Sequence, residues 1–120
     1  MGFIVETEPG VRIYHPGDTA ITQDMRLWGE LYHPTIGLMH VMLPEDSLPH
    51  MECYLCGELT EEEAILSSEW LQLKHIVASH YVSKDSPGVK SFIKKAEIAK
   101  KEGRLSAEVS VIDPGEVLEF

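Results

Sequence analysis

Val11-Arg12-Ile13-Tyr14-His15-Pro16-Gly17-Asp18-Thr19 is the stretch from which the fold can be read. Val11 to Tyr14 alternate apolar and polar side chains, the period of a half-buried strand, and Pro16-Gly17 then break the strand and leave an aspartate just beyond its carboxyl end. Upstream, the β-rich Phe3 to Thr7 and the turn signal Glu8-Pro9-Gly10 complete a hairpin with it. Downstream, Met25, Trp28, Leu31 and Tyr32 recur at helical spacing, and Pro34 stops that helix before the apolar run Ile36 to Met42, which predicts a buried strand.

Leu43 to Leu59 has neither period. Thr60-Glu61-Glu62-Glu63 is a capping box, and the helix it starts is expected to turn Leu66, Trp70 and Leu73 inward. The glutamates are explained by the helix macrodipole, with no catalytic role. His75 to Ser79 predicts a short strand ending at His80. A third helix starts at Ser86-Pro87, with Val89, Phe92, Ile93, Ala96 and Ala99 inward and Lys90, Lys94, Lys95, Lys100 and Lys101 in water, until Gly103 ends it. Ala107 to Ile112 predicts the last strand. The order β-β-α-β-α-β-α-β implies an α/β layer, in which ligands gather beyond the carboxyl ends of the strands. Asp18 follows the second strand and His80 the fourth, so strands of common polarity bring these two side chains to one rim.

Composition bounds the function. The chain has 120 residues with 20 acidic against 10 basic side chains, a formal charge of −10. That length suits one domain spanning residues 1–120. The acidic balance argues against nucleic acid and anionic membranes as partners. No apolar run reaches the roughly 18 residues of a membrane span, and Glu6 interrupts the first apolar stretch, so a cytoplasmic location is expected. Two cysteines are too few for a disulfide framework.

Ile13 to Thr19, followed by Asp24-Met25 and Leu27-Trp28-Gly29-Glu30-Leu31-Tyr32, resembles a segment of the metallo-β-lactamase superfamily, and more narrowly the metal-dependent hydrolases related to L-ascorbate-6-phosphate lactonase. Leu73-Lys74-His75-Ile76-Val77-Ala78-Ser79-His80-Tyr81 is similar to that branch's final metal motif, a strand delivering a histidine followed by tyrosine. The likeness spans nearly all of this chain but only the second half of a typical member. It implies half of an αββα sandwich, a mixed sheet covered by helices. It also implies that Asp18 is a metal-bridging aspartate and His80 the last metal-binding histidine, with His15 and Thr19 in supporting positions and zinc or manganese as the divalent ion. The superfamily's His-x-His-x-Asp-His motif is absent: the histidines are His15, His33, His40, His50, His75 and His80, and no two are separated by a single residue. A catalytic zinc takes three protein ligands and an open position, so two inherited ligands fall short.

The expectation is therefore the C-terminal part of a metal-dependent hydrolase, incomplete as an isolated catalyst and acting on a small molecule only once an N-terminal half chain completes it. The first alternative is a non-catalytic module that forms a homo-oligomer through the face its lost half once covered. The second is a small zinc protein using His50, Cys53 and Cys56, since Cys-x-x-Cys with a nearby histidine supplies three ligands. His40, inside an apolar run, is read as a satisfied core histidine ahead of a substitute ligand.

Overall fold

The computed structural model describes residues 2–41 and 57–120. Strand β1 (Phe3–Glu8) turns at Gly10, whose φ of 83° glycine adopts without a Cβ penalty, into β2 (Val11–His15). Helix α1 (Asp24–Tyr32), β3 (Ile36–His40), α2 (Glu61–Trp70), β4 (His75–Ser79), α3 (Pro87–Lys101) and β5 (Glu108–Ser110) follow. The strands form one five-stranded sheet in the order β1-β2-β3-β4-β5. The β1–β2 pair is antiparallel, and β2, β3, β4 and β5 run parallel. The sheet is thus mixed, and the carboxyl ends of β2, β3 and β4 share one edge.

Register assigns the two faces. Ile4, Tyr14, Gly37, Ile76 and Val109 pair in succession across the five strands. Tyr14, Met39, Ile76 and Ala78 join Met25, Ala64, Ile65, Val89, Phe92, Ala96 and Ala99 from the three helices in one core. The alternate row, Val5, Ile13, Ile36, His75 and Glu108, points the other way. There Phe3 is 58% and Val5 54% exposed, while Phe120 packs edge-on against His75 with ring centroids 4.8 Å apart. One sheet face is therefore roofed by helices, and the other is left in part to solvent.

The capping box forms as its sequence implies: the Glu63 amide donates to Thr60 Oγ1 at 3.2 Å, and the Thr60 amide donates to Glu63 Oε2 at 2.9 Å. The inward face of α2 differs from expectation. Leu66 is 45% exposed, and the buried positions are Glu61, Ala64, Ile65, Ser67 and Ser68. Small side chains line this face because α2 lies close against its neighbours. A Cβ on Gly29 of α1 would stand 2.3 Å from the Trp70 carbonyl oxygen. The Ser67 and Ser68 hydroxyls satisfy themselves on the Ala64 carbonyl. In α1, Met25 is buried, whereas Leu31 and Tyr32, which share its helical spacing, are exposed. Lys95, expected in water, reaches the buried Glu61, with Nζ 2.5 Å from Oε2. Strand β3 ends at His40, earlier than the apolar run suggested. Among the described residues no helix is long and apolar enough to cross a membrane.

Tyr14 supplies a stability test. Its side chain is 1% exposed, and its hydroxyl has no hydrogen-bond partner among the described residues. Removing an unpaired buried hydroxyl relieves a desolvation penalty, so Tyr14→Phe should raise stability by about 1 kcal/mol in urea titrations at neutral pH. Burial also pushes the phenol up from 10.0 to about 12. The folded state then holds more protons than the unfolded chain between these values. This contribution is intact below pH 10 and is lost as pH rises through about 12, by about 3 kcal/mol in all. The phenylalanine variant should lack that alkaline loss, and an identical pH profile for both proteins would refute the assignment.

Candidate metal centre

The shared edge of β2, β3 and β4 carries the polar groups. After His15 the chain turns through Gly17, at φ 66°, and the Gly17 amide donates to His15 Nδ1 at 3.0 Å. Thr19 Oγ1 donates to the Ala20 carbonyl at 2.9 Å. His15 and Thr19 thus build the turn that presents Asp18, whose side chain is 79% exposed.

Strand β3 delivers His40 to the same edge. In the parallel register His40 pairs with Ser79, and the Val41 amide donates to the Ser79 carbonyl at 3.2 Å. His80, one residue further, takes a left-handed conformation at φ 62°. A non-glycine residue there costs on the order of 1 kcal/mol or more, and such strain persists where surrounding contacts impose it. Here the contact is Tyr81, whose hydroxyl donates to the Ile112 carbonyl and accepts the Ile112 amide hydrogen at 3.0 Å, clamping the turn after β4 to the segment after β5. The tyrosine that follows the histidine in the motif thus fixes how His80 is presented.

Asp18 and His80, sixty-two positions apart, meet: Oδ1 lies 3.9 Å from His80 Nδ1. A second carboxylate, Glu58, approaches the same nitrogen at 3.8 Å through Oε1. His40 stands edge-on to His80 with ring centroids 6.0 Å apart. Its side chain is buried, Nδ1 accepts the Leu59 amide hydrogen at 3.3 Å, and Nε2 has no hydrogen-bond partner of ordinary geometry among the described residues. Burial first, and then the neighbouring His80, push His40 down to about 4 against smaller upward pulls from Asp18 and from a hydrogen bond with the Thr19 backbone. The ring is neutral at neutral pH, as a metal-ligating imidazole must be. A cleft of about 260 Å³ lies over this edge, lined in part by His15, Asp18, His40, Ser79 and His80.

Two imidazoles and two carboxylates, one ring carrying a buried unpartnered nitrogen, make a donor set suited to a divalent ion. The strand-end argument reached Asp18 and His80. It left His40 between core and ligand and did not reach Glu58, an acid in a stretch without period. The signal for His40 was its place at the end of a parallel strand. His50, Cys53 and Cys56 lie outside the described residues. His75 is on the exposed sheet face, away from this edge.

No protein-family model matches the chain. It is 36% identical over 118 residues to a UPF0173 metal-dependent hydrolase of Rubrobacter xylanophilus, covering 98% of this chain and 43% of the relative. A UPF0173 metal-dependent hydrolase of Korarchaeum cryptofilum is 33% identical over 122 residues, covering 100% and 47%. Among solved structures, the metallo hydrolase Igni18 of Ignicoccus hospitalis superposes with a TM-score of 0.63 at 28% identity, over 94% of this chain and 43% of that one. The metallo-β-lactamase fold protein YhfI of Bacillus subtilis, at 14% identity and a TM-score of 0.64 over 94% and 42%, shares the fold. The chain spans about half the length of the relatives it matches. The chain is therefore similar over nearly its whole length to about half the length of the UPF0173 metal-dependent hydrolases, and its fold matches the C-terminal half of a metallo-β-lactamase fold.

Proposed function

We propose that residues 1–120 act as one unit, the C-terminal part of a cytoplasmic metal-dependent hydrolase, which an N-terminal half completes into an enzyme for a small ester, lactone or phosphorylated substrate. The observation that carries this reading is the 3.9 Å approach of the Asp18 carboxylate to the His80 imidazole, delivered from the ends of β2 and β4. In the completed protein Asp18 and His80 are this chain's inherited ligands, with zinc or manganese as the ion. A bound divalent ion acidifies its water toward neutral pH and so supplies a nucleophile. The chain's own residues position that chemistry: the Gly17 turn aims Asp18 outward, the Tyr81 clamp orients His80, and His15 and Thr19 brace the turn. The solvent-facing row with Phe3 and Val5 is the surface the completing half would cover.

The test is to mix the chain with a separately produced N-terminal half of the Rubrobacter xylanophilus relative. Metal-dependent hydrolysis across a panel of nitrophenyl esters, lactones and phosphate esters is then followed. A stable complex is expected whose rate falls by about 100-fold or more in Asp18→Asn or His80→Asn, because each removes a group on the reacting ion. A complex indifferent to both substitutions would overturn the reading. So would a chain that sediments only as a homo-oligomer, with Phe3 and Val5 buried between copies and no N-terminal half displacing them.

A further inference from the structure

We infer that this chain holds one divalent transition-metal ion without the other half, through His40, Glu58 and His80. The inference rests on the functional reading above for where the centre lies, and goes beyond it in assigning the ion to this chain alone and in adding two ligands that the resemblance did not supply. One ring nitrogen of each histidine and a carboxylate oxygen of Glu58 lie within 4.8 Å of one another. Bonds of about 2.0–2.1 Å in a tetrahedral shell place neighbouring ligand atoms about 3.3 Å apart. The 3.8 Å between Glu58 Oε1 and His80 Nδ1 thus has to close by about half an ångström, and a pair at the 4.8 Å limit by about 1.5 Å, which side-chain rotation has to supply.

The burial of His40 is the independent observation. Its side chain is 2% exposed, and Nε2 meets no hydrogen-bond partner of ordinary geometry among the described residues, the Thr19 backbone being the one hydrogen-bonding neighbour that favours its proton, an arrangement that buried polar atoms rarely keep. Two carboxylates, Asp18 and Glu58, also converge within 4 Å of His80 Nδ1, and a doubly charged ion offsets their mutual repulsion. Two imidazoles with one carboxylate form a set used by zinc and by iron(II), and three protein ligands leave a position open to the cleft that Asp18 borders.

The geometry adds a consequence. His40 Nδ1 accepts the Leu59 amide hydrogen, so coordination through either ring nitrogen disturbs that bond. Through Nδ1 the ion takes the accepting lone pair. Through Nε2 the ring proton moves to Nδ1 and confronts the amide hydrogen. Loading the site releases the amide of Leu59, the residue directly after Glu58.

The experiment titrates cobalt(II), then zinc, into the full chain carrying Cys53→Ser and Cys56→Ser, which removes the competing thiols. One ion per chain is expected, with a cobalt spectrum free of thiolate charge-transfer bands. Hydrogen exchange at Leu59 should quicken while the β3 and β4 amides slow. Glu58→Gln and His40→Gln should each weaken binding by about 100-fold or more, beyond the 10–100-fold that loss of an outer-shell partner brings. Circular dichroism checks that each variant is folded, and Glu58, at the rim, keeps the test decisive should His40→Gln unfold. Binding that survives Glu58→Gln and His40→Gln but fails in Asp18→Asn overturns the assignment and leaves the proposed function standing. So does an ion bound only by the two-half complex. An ion bound by the chain as described, with no N-terminal half joining it, upholds this inference and overturns the other.

Discussion

Lys95→Ala is expected to destabilise the fold by about 3–5 kcal/mol, the cost of leaving a buried charge without its partner. Glu61 lies in the first turn of α2 with its side chain fully buried, and the Lys95 ammonium reaches it across the α2–α3 contact at 2.5 Å. Truncating the lysine removes the cation and leaves the carboxylate in a dry site. The pair need not contribute much net stability for this to hold, because both charges lose hydration on folding. A double-mutant cycle separates the two statements. Glu61→Leu with Lys95→Met, of similar volume and apolar, should recover most of the loss, while each single substitution does not. Urea midpoints give the measurement. A single-variant cost below about 1 kcal/mol would place the pair in the class of solvated surface ion pairs.

Gly29→Ala should cost about 2–3 kcal/mol, although alanine inside a helix is preferred over glycine by about 1 kcal/mol. The added methyl would meet the Trp70 carbonyl oxygen at 2.3 Å and Leu71 Cα at 3.0 Å. Both are backbone atoms at the end of α2, so no rotamer change makes room and the two helices must separate. Separation would loosen Met25 and Ile65 in the core between them. Glu30→Ala, at the next, exposed position of α1, is the control and should leave stability nearly unchanged. Equal thermal midpoints for the two alanine variants would show that α1 and α2 do not touch at Gly29.

How far the sequence could be read depended on whether a signal was local. The Glu8-Pro9-Gly10 turn, the Thr60–Glu63 box and the proline that opens α3 act within a few residues, and each stands where its chemistry required. The alternation of strands with helices implied an α/β layer, and the parallel polarity on which the meeting of Asp18 and His80 depended is the one the structure has. What escaped was set by neighbours. Leu66 looked like the inner anchor of α2 because periodicity weighs size. The close approach at Gly29 selects small residues instead, and Ala64 and Ser68 take the inner face. Lys95 resembled any solvated lysine of α3 until Glu61 appeared opposite it. Glu58 had no pattern around it, and its meaning comes from a strand end eighteen positions earlier in the chain (58 − 40).

The fastening of the chain on either side of residues 42–56 has an evolutionary consequence. Val41 is buried and tied to Ser79, while Leu59 is tied to His40 and Thr60 opens α2 with a self-contained cap. With both anchor points secured independently, neither fastening depends on how many residues the sequence places between them. Lineages can therefore lengthen, shorten or rewrite this passage without retuning the helix that follows it. New recognition chemistry has a cheap place to arise beside an old rim.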